Sequence, residues 1–293
     1  MADQTQHLSK AMAGVPERDV APEIRDVDGV LRGYYYHAPA VATSGEAATI
    51  DANSIYYRFV NEAIRESIAG GAKSVTLKNV NGQRYIGTGL TDKDATIKVE
   101  GTPGQDLCMF MGGPRVEVYG SAQDGVGNTM DSGTVVVHGG AGDVVGYGMR
   151  GGTILIAGDV GYRVGIHMKE YQTYKPRIIC GGCARDFFGE YMAGGELVLL
   201  GLTAEPGEPI AGSYIGTGMH GGVIYLRGSV EPWQCGKEVG IFEASPEDMA
   251  AIEPLVRQYC EEFGRDYDEI VSVPFTKLVP VSARPYGNLY ASF

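Results

Sequence analysis

The chain is poor in the features that announce most chemistries. It holds one tryptophan and five cysteines in 293 residues. Five is an odd number for a disulfide framework, and it fits a reduced, cytoplasmic compartment better than an oxidising one. No run of 18 apolar residues occurs, so no membrane span is expected. The opening stretch MADQTQHLSKAMAGVPERD lacks the apolar segment of a secretory signal. Positive charge is scarce, with 24 Lys and Arg against 36 Asp and Glu and a net charge of −12. A surface that acidic repels phosphate backbones, which argues against nucleic acid as a partner. No G-x-x-x-x-G-K-[ST] loop, Ser/His/Asp set, acid pair or four-ligand metal cluster stands out. Accordingly no catalytic and no cofactor-binding residue is assigned.

What the chain has in excess is glycine, 44 residues, about twice the usual share. A glycine in a helix interior costs about 1 kcal/mol relative to alanine, which counts against a mostly helical fold. The glycines do not recur every third residue, which excludes collagen. Hydrophobic residues make up 44%, enough for a sizeable core.

From 73 to 230 the sequence repeats itself. Six apolar runs can be aligned, TIKVEG, RVEVYG, TVVVHG, TILIAG, ELVLLG and VIYLRG, closing at Gly101, Gly120, Gly139, Gly158, Gly201 and Gly228. The first three gaps are 19 residues each. Met111, Met130, Met149 and Met168 keep the same spacing, as do Gly127, Gly146 and Gly165. Met192 and Met219 follow after 24 and 27 residues. Five extra residues are expected near YQTYKPRI and eight near TAEPGEP, which is how a solenoid accepts insertions. No helical period of useful length fits inside a unit. Short strands with glycine corners, stacked about 4.8 Å apart, predict a parallel β-helix of six to seven 19-residue coils, an all-β solenoid. Met and Val should stack in columns inside it, with corner glycines where backbone angles forbid other residues.

The rest of the chain divides around that body. Residues 1–50 read as an N-terminal extension without a persistent period, in which Tyr34-Tyr35-Tyr36-His37 could be a strand or a docking patch. Residues 51–71 read as an amphipathic helix capped by Asp51 or Asn53, with Ile55, Phe59, Val60, Ala63, Ile64 and Ile68 on one stripe and Gly70-Gly71 ending it. Residues 51–72 should cap one end of the solenoid, and 231–293 should cap or cover the other. In that tail, Ser245-Pro246-Glu247-Asp248 starts a helix that Gly264 stops, over 245–263, with an apolar stripe of Met249, Ile252, Leu255, Val256 and Tyr259. The ending FTKLVPVSARPYGNLY reads as an extended strap.

Several motifs invite chemistry. GYGMRGG and GTGMHGG resemble dinucleotide loops, but a strand follows each, where a phosphate site needs a helix N-terminus. Cys180-Gly-Gly-Cys183 is the one CxxC, a candidate metal or redox pair, though Cys108, Cys235 and Cys260 supply no second pair. A structural coil corner is the plainer reading. His7, His37, His138, His167 and His220 have no matching acid and nucleophile. Asp124, Asp143 and Asp186 share one place in their repeats, where they could hold Ca²⁺ in a column or cap turn N–H groups.

The repeat resembles the right-handed GXGXG β-helix that forms the C-terminal domain of the glutamate synthase large subunit, which implies a right-handed coil here. LKNVNGQRYIGTGL at 77–90 is similar to that domain's first segment. GTPGQDL, GSAQDGVGNTMDSGTVVVHG and GDVVGYGMRGGTILIAGDVG are similar to its successive coils. DFFGEYMAGGELVLLGL at 186–202 is the most distinctive stretch, followed by GTGMHGGVIYLRG. The resemblance covers about residues 50–230, and the module is also similar to the β-helical subunit of formylmethanofuran dehydrogenase. It implies a non-catalytic structural subunit of a split glutamate synthase, with no cofactor of its own. Its partners would be a glutaminase-type subunit and a flavin/Fe–S synthase-type subunit carrying FMN and Fe–S, with an ammonia path between them. A formylmethanofuran dehydrogenase-like or methylglutamate synthase-like complex is the alternative, a Cys180/Cys183 redox or metal protein a third, and a homo-oligomer stays open.

Overall fold

A computed structural model describes residues 37–281, together with strands β1 (Ile24–Arg25) and β2 (Leu31–Arg32), which pair antiparallel. His7, Tyr34, Tyr35, Tyr36 and the ending beyond 281 lie outside the described residues. Strand β3 (Val41–Ser44) turns at Gly45 into β4 (Ala47–Asp51), which begins a long parallel run. The run continues through β5 (Ser74–Asn81), β6 (Thr96–Thr102), β7 (Gly112–Tyr119), β8 (Ser132–Val137), β9 (Thr153–Ile156), β10 (Arg177–Cys180), β11 (Ala193–Leu199) and β12 (Gly221–Arg227). Each strand pairs in parallel with the next in the chain, so the chain coils as a parallel β-solenoid of about six turns.

Register explains the 19-residue period. Ile97, Val116, Val135, Ile154, Ile178, Leu197 and Ile224 stand side by side in successive strands. All seven are fully buried, each contributing roughly 1.5–3 kcal/mol of apolar burial. Met111, Met130, Met149, Met168, Met192 and Met219 face them across the same interior. The inserted residues fall in loops, between Met168 and β10 and between β11 and Met219, so pairing resumes in register after each. Strand β10 is a coil strand outside the six aligned runs. Its run, RIIC, ends in cysteine and follows an insertion.

The corner glycines have two reasons. Gly101, Gly201 and Gly228 hold positive φ, as expected. Gly120, Gly139 and Gly158 do not. An added Cβ there would meet backbone of the preceding coil at 2.9, 2.8 and 3.2 Å. Close stacking of corners, rather than backbone angle, selects glycine at these three.

Opposite the strands, each coil makes a five-residue turn whose first, third and fifth residues all hold positive φ. Tyr85-Ile86-Gly87-Thr88-Gly89 is the first and Tyr214-Ile215-Gly216-Thr217-Gly218 the last. The alternation points successive N–H groups to opposite neighbours. In the third turn Gly127 N–H donates back to Leu107 (2.8 Å), while Gly125 and Thr129 donate forward to Asp143 and Tyr147. The turns therefore bond coil to coil as a ladder, which satisfies their buried backbone.

Helix α1 (Tyr57–Ala69) lies within the expected 51–71 stretch but starts later. Its N-cap is Tyr56, without a side-chain cap bond. Asp51 belongs to β4 and accepts the Asn79 amide and the Asn53 N–H instead. Val60, Ala63 and Ile64 join the interior cluster beside β4 and β5, so α1 closes the first coil.

At the far end, a short 3₁₀ turn (Pro232–Gln234) lies over the last coil's turn, where Ile215 N–H donates to the Gln234 carbonyl. Strand β14 (Phe275–Pro280) pairs antiparallel with β12, and β13 (Val239–Glu243) with β14. Helix α2 (Pro246–Phe263) begins as expected, with Ser245 and Asp248 in a reciprocal capping box, and ends at Gly264 in the left-handed region. Helix α3 (Tyr267–Val271) follows. Rather than end-capping, α2 lies on the outer face of the sheet. Its Ile252, Leu255, Val256 and Tyr259 form a second core with Val136, Leu155, Ile179, Val198 and Tyr225.

Candidate functional site

The acidic column is a backbone cap. Asp124 Oδ1 accepts the Asp143 N–H (2.9 Å), Asp143 Oδ1 the Tyr162 N–H (2.9 Å) and Asp186 Oδ1 the Ser213 N–H (2.8 Å). Each carboxylate thus ties its coil to the next. A Cβ at Gly142, Gly161 or Gly212 would sit about 2 Å from those oxygens, which is why glycine precedes each capped residue.

Cys180-Gly-Gly-Cys183 lies on the same ladder. Cys180 occupies the interior column between Ile156 and Leu199, fully buried, and burial pushes its thiol pKa up. Gly181 passes beneath the Tyr259 hydroxyl of α2, and Gly182 passes against Asp159 Oδ1. Cys183 is half-buried. Its N–H donates to Asp159 (2.8 Å), and its Sγ lies 3.6 Å from Thr203 Oγ1, whose hydroxyl also donates to Asp159. A nucleophilic or ligating role needs thiolate, which burial disfavours at Cys180. Among the described residues, no group of three or more His, Cys, Asp and Glu is placed to hold a metal ion.

Two of the histidines enter aromatic stacks. His138 lies flat on Tyr119 (4.9 Å between centroids, 8°) and edge-on to Phe263 of α2. His167 lies flat on Tyr191 (5.3 Å, 12°) and edge-on to Tyr147. His220 is half-buried beside the Gly218 carbonyl, and His37 is exposed. Phe187 stacks on Tyr214 (4.9 Å, 11°), and the Arg163 guanidinium lies over Phe187 (4.8 Å). This surface of exposed rings was not anticipated from composition. The signal was present as aromatic residues at turn positions where some other coils carry glycine.

Below these turns, the insert before Met219 overhangs a cleft of about 530 Å³. Asp159, Asp186, Glu205 and Glu208 line it, with Arg185 as the cation among its lining residues. A second polar cluster pins α2. Asp248 accepts from Lys277 (2.6 Å), the Tyr225 hydroxyl (3.1 Å) and the Ser245 N–H (3.0 Å). Burial alone would raise its pKa, but these donors draw it down to about 2. At the other end of α2, Glu262 pairs with Arg115 of β7 (2.7 Å).

The family is decided by a match to the GXGXG motif family over residues 68–281, most of the coiled body and its cover. The chain belongs to the GXGXG motif family. A relative, the uncharacterized protein MJ1350 of Methanocaldococcus jannaschii, is 46% identical over 252 residues, covering 84% of this chain and 97% of that protein. A solved structure with the same fold is a chain of the formyltransferase/hydrolase complex (FhcABCD) of Methylorubrum extorquens, bound to methylofuran. It has a TM-score of 0.53 and 22% identity, covering 70% of this chain and 72% of that one. No helix among the described residues is long and apolar enough to cross a membrane.

Proposed function

We propose that this GXGXG chain is a non-catalytic structural subunit of an oxidoreductase complex, and specifically of a split glutamate synthase. The observation that supports this most is how the polar groups of the coils are used. The repeated carboxylates cap backbone N–H groups of the next coil, and the turn amides bond coil to coil. Groups committed in this way stiffen a wall rather than turn over substrate. A stiff wall can hold two catalytic subunits at a set distance and keep the ends of an ammonia path aligned. The resemblance of about residues 50–230 to the glutamate synthase β-helix supports that complex over others. On this reading a glutaminase-type subunit and a flavin/Fe–S synthase-type subunit dock on the chain, and FMN and Fe–S belong to them.

Expressed with a tag in its own cells, the chain should co-purify with both subunit types. Glutamine-dependent glutamate formation from 2-oxoglutarate should need the chain, which alone should be inactive. Turnover by the chain alone, or full coupling without it, would refute this. The likeness in fold to a chain of the formyltransferase/hydrolase complex favours a second scaffold reading, in which formyl-transferring subunits co-purify instead.

A further inference from the structure

The backbone holds aromatic rings, Tyr191 and Tyr214 exposed and Phe187 half-buried, at positions where it would more readily hold glycine. Phe187, Tyr191 and Tyr214 have φ of +66°, +51° and +62°, a region that bulky side chains rarely adopt. The same turn positions are glycine in some coils (Gly125, Gly89, Gly148 and Gly218) and other residues in the rest, such as Asp106, Val144 and Thr129. Tyr214 is 55% exposed and Tyr191 45%, so packing of the core does not require them. Strain kept at exposed side chains points to use of those side chains.

The rings are also ordered. Arg163, Phe187 and Tyr214, first residues of three successive turns, stack as a rail, and His167 with Tyr191 forms a parallel one. The rail adjoins the acidic cleft, since Tyr162 and Asp186 line the cleft and the next residues in the chain, Arg163 and Phe187, belong to the rail. Four carboxylates face one guanidinium there, in a chain of net charge −12. Arg163 over Phe187 already shows the contact this surface favours, a cation on a ring face. Aromatic anchors with exposed charge around them match the make-up of a protein interface, aromatic at its centre and polar at its rim.

We propose that the rail and the cleft form the seat for a Lys- and Arg-rich segment of a partner protein subunit. The cations reach Glu205, Glu208 and the free oxygens of the cleft, while arginine or lysine stems lie on Tyr214 and Tyr191. This rests on the scaffold reading above, and the test separates the two.

The chain is immobilised and its co-purified partner subunits are bound in solution, at low and at moderate salt. Phe187→Gly/Tyr214→Gly removes the rail and relieves its backbone while losing the ring contacts, and a thermal melt checks that the variant folds before binding is read. Glu205→Gln/Glu208→Gln removes charge on the exposed loop. The glycine pair should weaken partner binding about 10-fold or more at both salt concentrations. The glutamine pair should weaken it mainly at low salt, with a shallower salt dependence. Wild-type affinity in both variants would overturn the seat and leave the scaffold reading standing. A wild-type chain that binds no partner would overturn both. A wild-type dimer in sedimentation that the glycine pair makes monomeric would assign the seat to a second copy and overturn the partner assignment.

Discussion

Three alanine substitutions separate the two reasons this solenoid uses glycine. At Gly148, φ is +57° and the nearest atom to an added Cβ is Thr129 Oγ1 at 3.6 Å, so backbone conformation alone resists the change. At Gly113, φ is ordinary, but the Cβ would lie 2.4 Å from the Thr91 carbonyl oxygen of the preceding coil. At Gly133 both apply, with φ of +97° and the Pro114 carbonyl oxygen at 2.4 Å. A left-handed backbone costs an L-residue roughly 1–2 kcal/mol. Forcing a methyl group between stacked coils costs roughly 1–3 kcal/mol, because the backbone must shift. Gly148→Ala should therefore lose about 1–2 kcal/mol, Gly113→Ala about 1–3, and Gly133→Ala about 2–5, near their sum. Urea unfolding followed by circular dichroism measures each. A Gly113→Ala variant as stable as the parent, or a Gly148→Ala variant as damaged as Gly133→Ala, would refute the separation.

Two further outcomes follow from the packing of α2 and the coil corner. Asp248 has a folded pKa of about 2, below the ordinary carboxylate value of about 3.9. Its contribution is thus complete above about pH 4 and lost as pH falls from about 4 toward 2, by up to roughly 2 kcal/mol. Asp248→Asn should be less stable at pH 7 and should show a flatter acid limb in thermal melts between pH 6 and 2.5. An identical acid limb would rule out the Lys277–Asp248–Tyr225 clamp. Cys180→Ser places a hydroxyl in the apolar column and should cost roughly 1–3 kcal/mol, whereas Cys180→Val should be tolerated. Cys183→Ser should change stability by less than about 0.5 kcal/mol. Loss of bound metal or of electron transfer in the assembled complex with Cys180→Val would reinstate the metal or redox reading.

Much of the body was legible because a solenoid writes its geometry as a period. One residue per coil in each interior column means that Met130 and Val135 must recur 19 positions later, and they do, as Met149 and Ile154. The start of α2 was legible for a local reason, since Ser245, Pro246 and Asp248 act within one turn. Other features were hidden by their context. RIIC did not align because an insertion displaced it and a cysteine took the last apolar place. The β3–β4 hairpin was hidden in the 1–50 stretch because Val41–Ser44 is an exposed edge without an apolar alternation. The bed of α2 left a trace, since the middle of each run changes from Lys98 and Glu117 to Val136, Leu155, Ile179 and Val198. That change means little until a cover is known.

The amino-acid order alone determined the coil length, the interior columns, the positions of both insertions and the ends of α2. Each of these depends on neighbours close in sequence or on strict recurrence. Only the tertiary structure decided that the repeated aspartates cap the next coil, that Cys180 is a packing residue in its column, and that α2 lies across β8–β12. It alone also showed that Arg163, Phe187 and Tyr214 form one rail. These arrangements join residues that are 19 to more than 100 positions apart. Chain coiling and the cover helix, rather than any local preference, bring them within a few ångströms of each other.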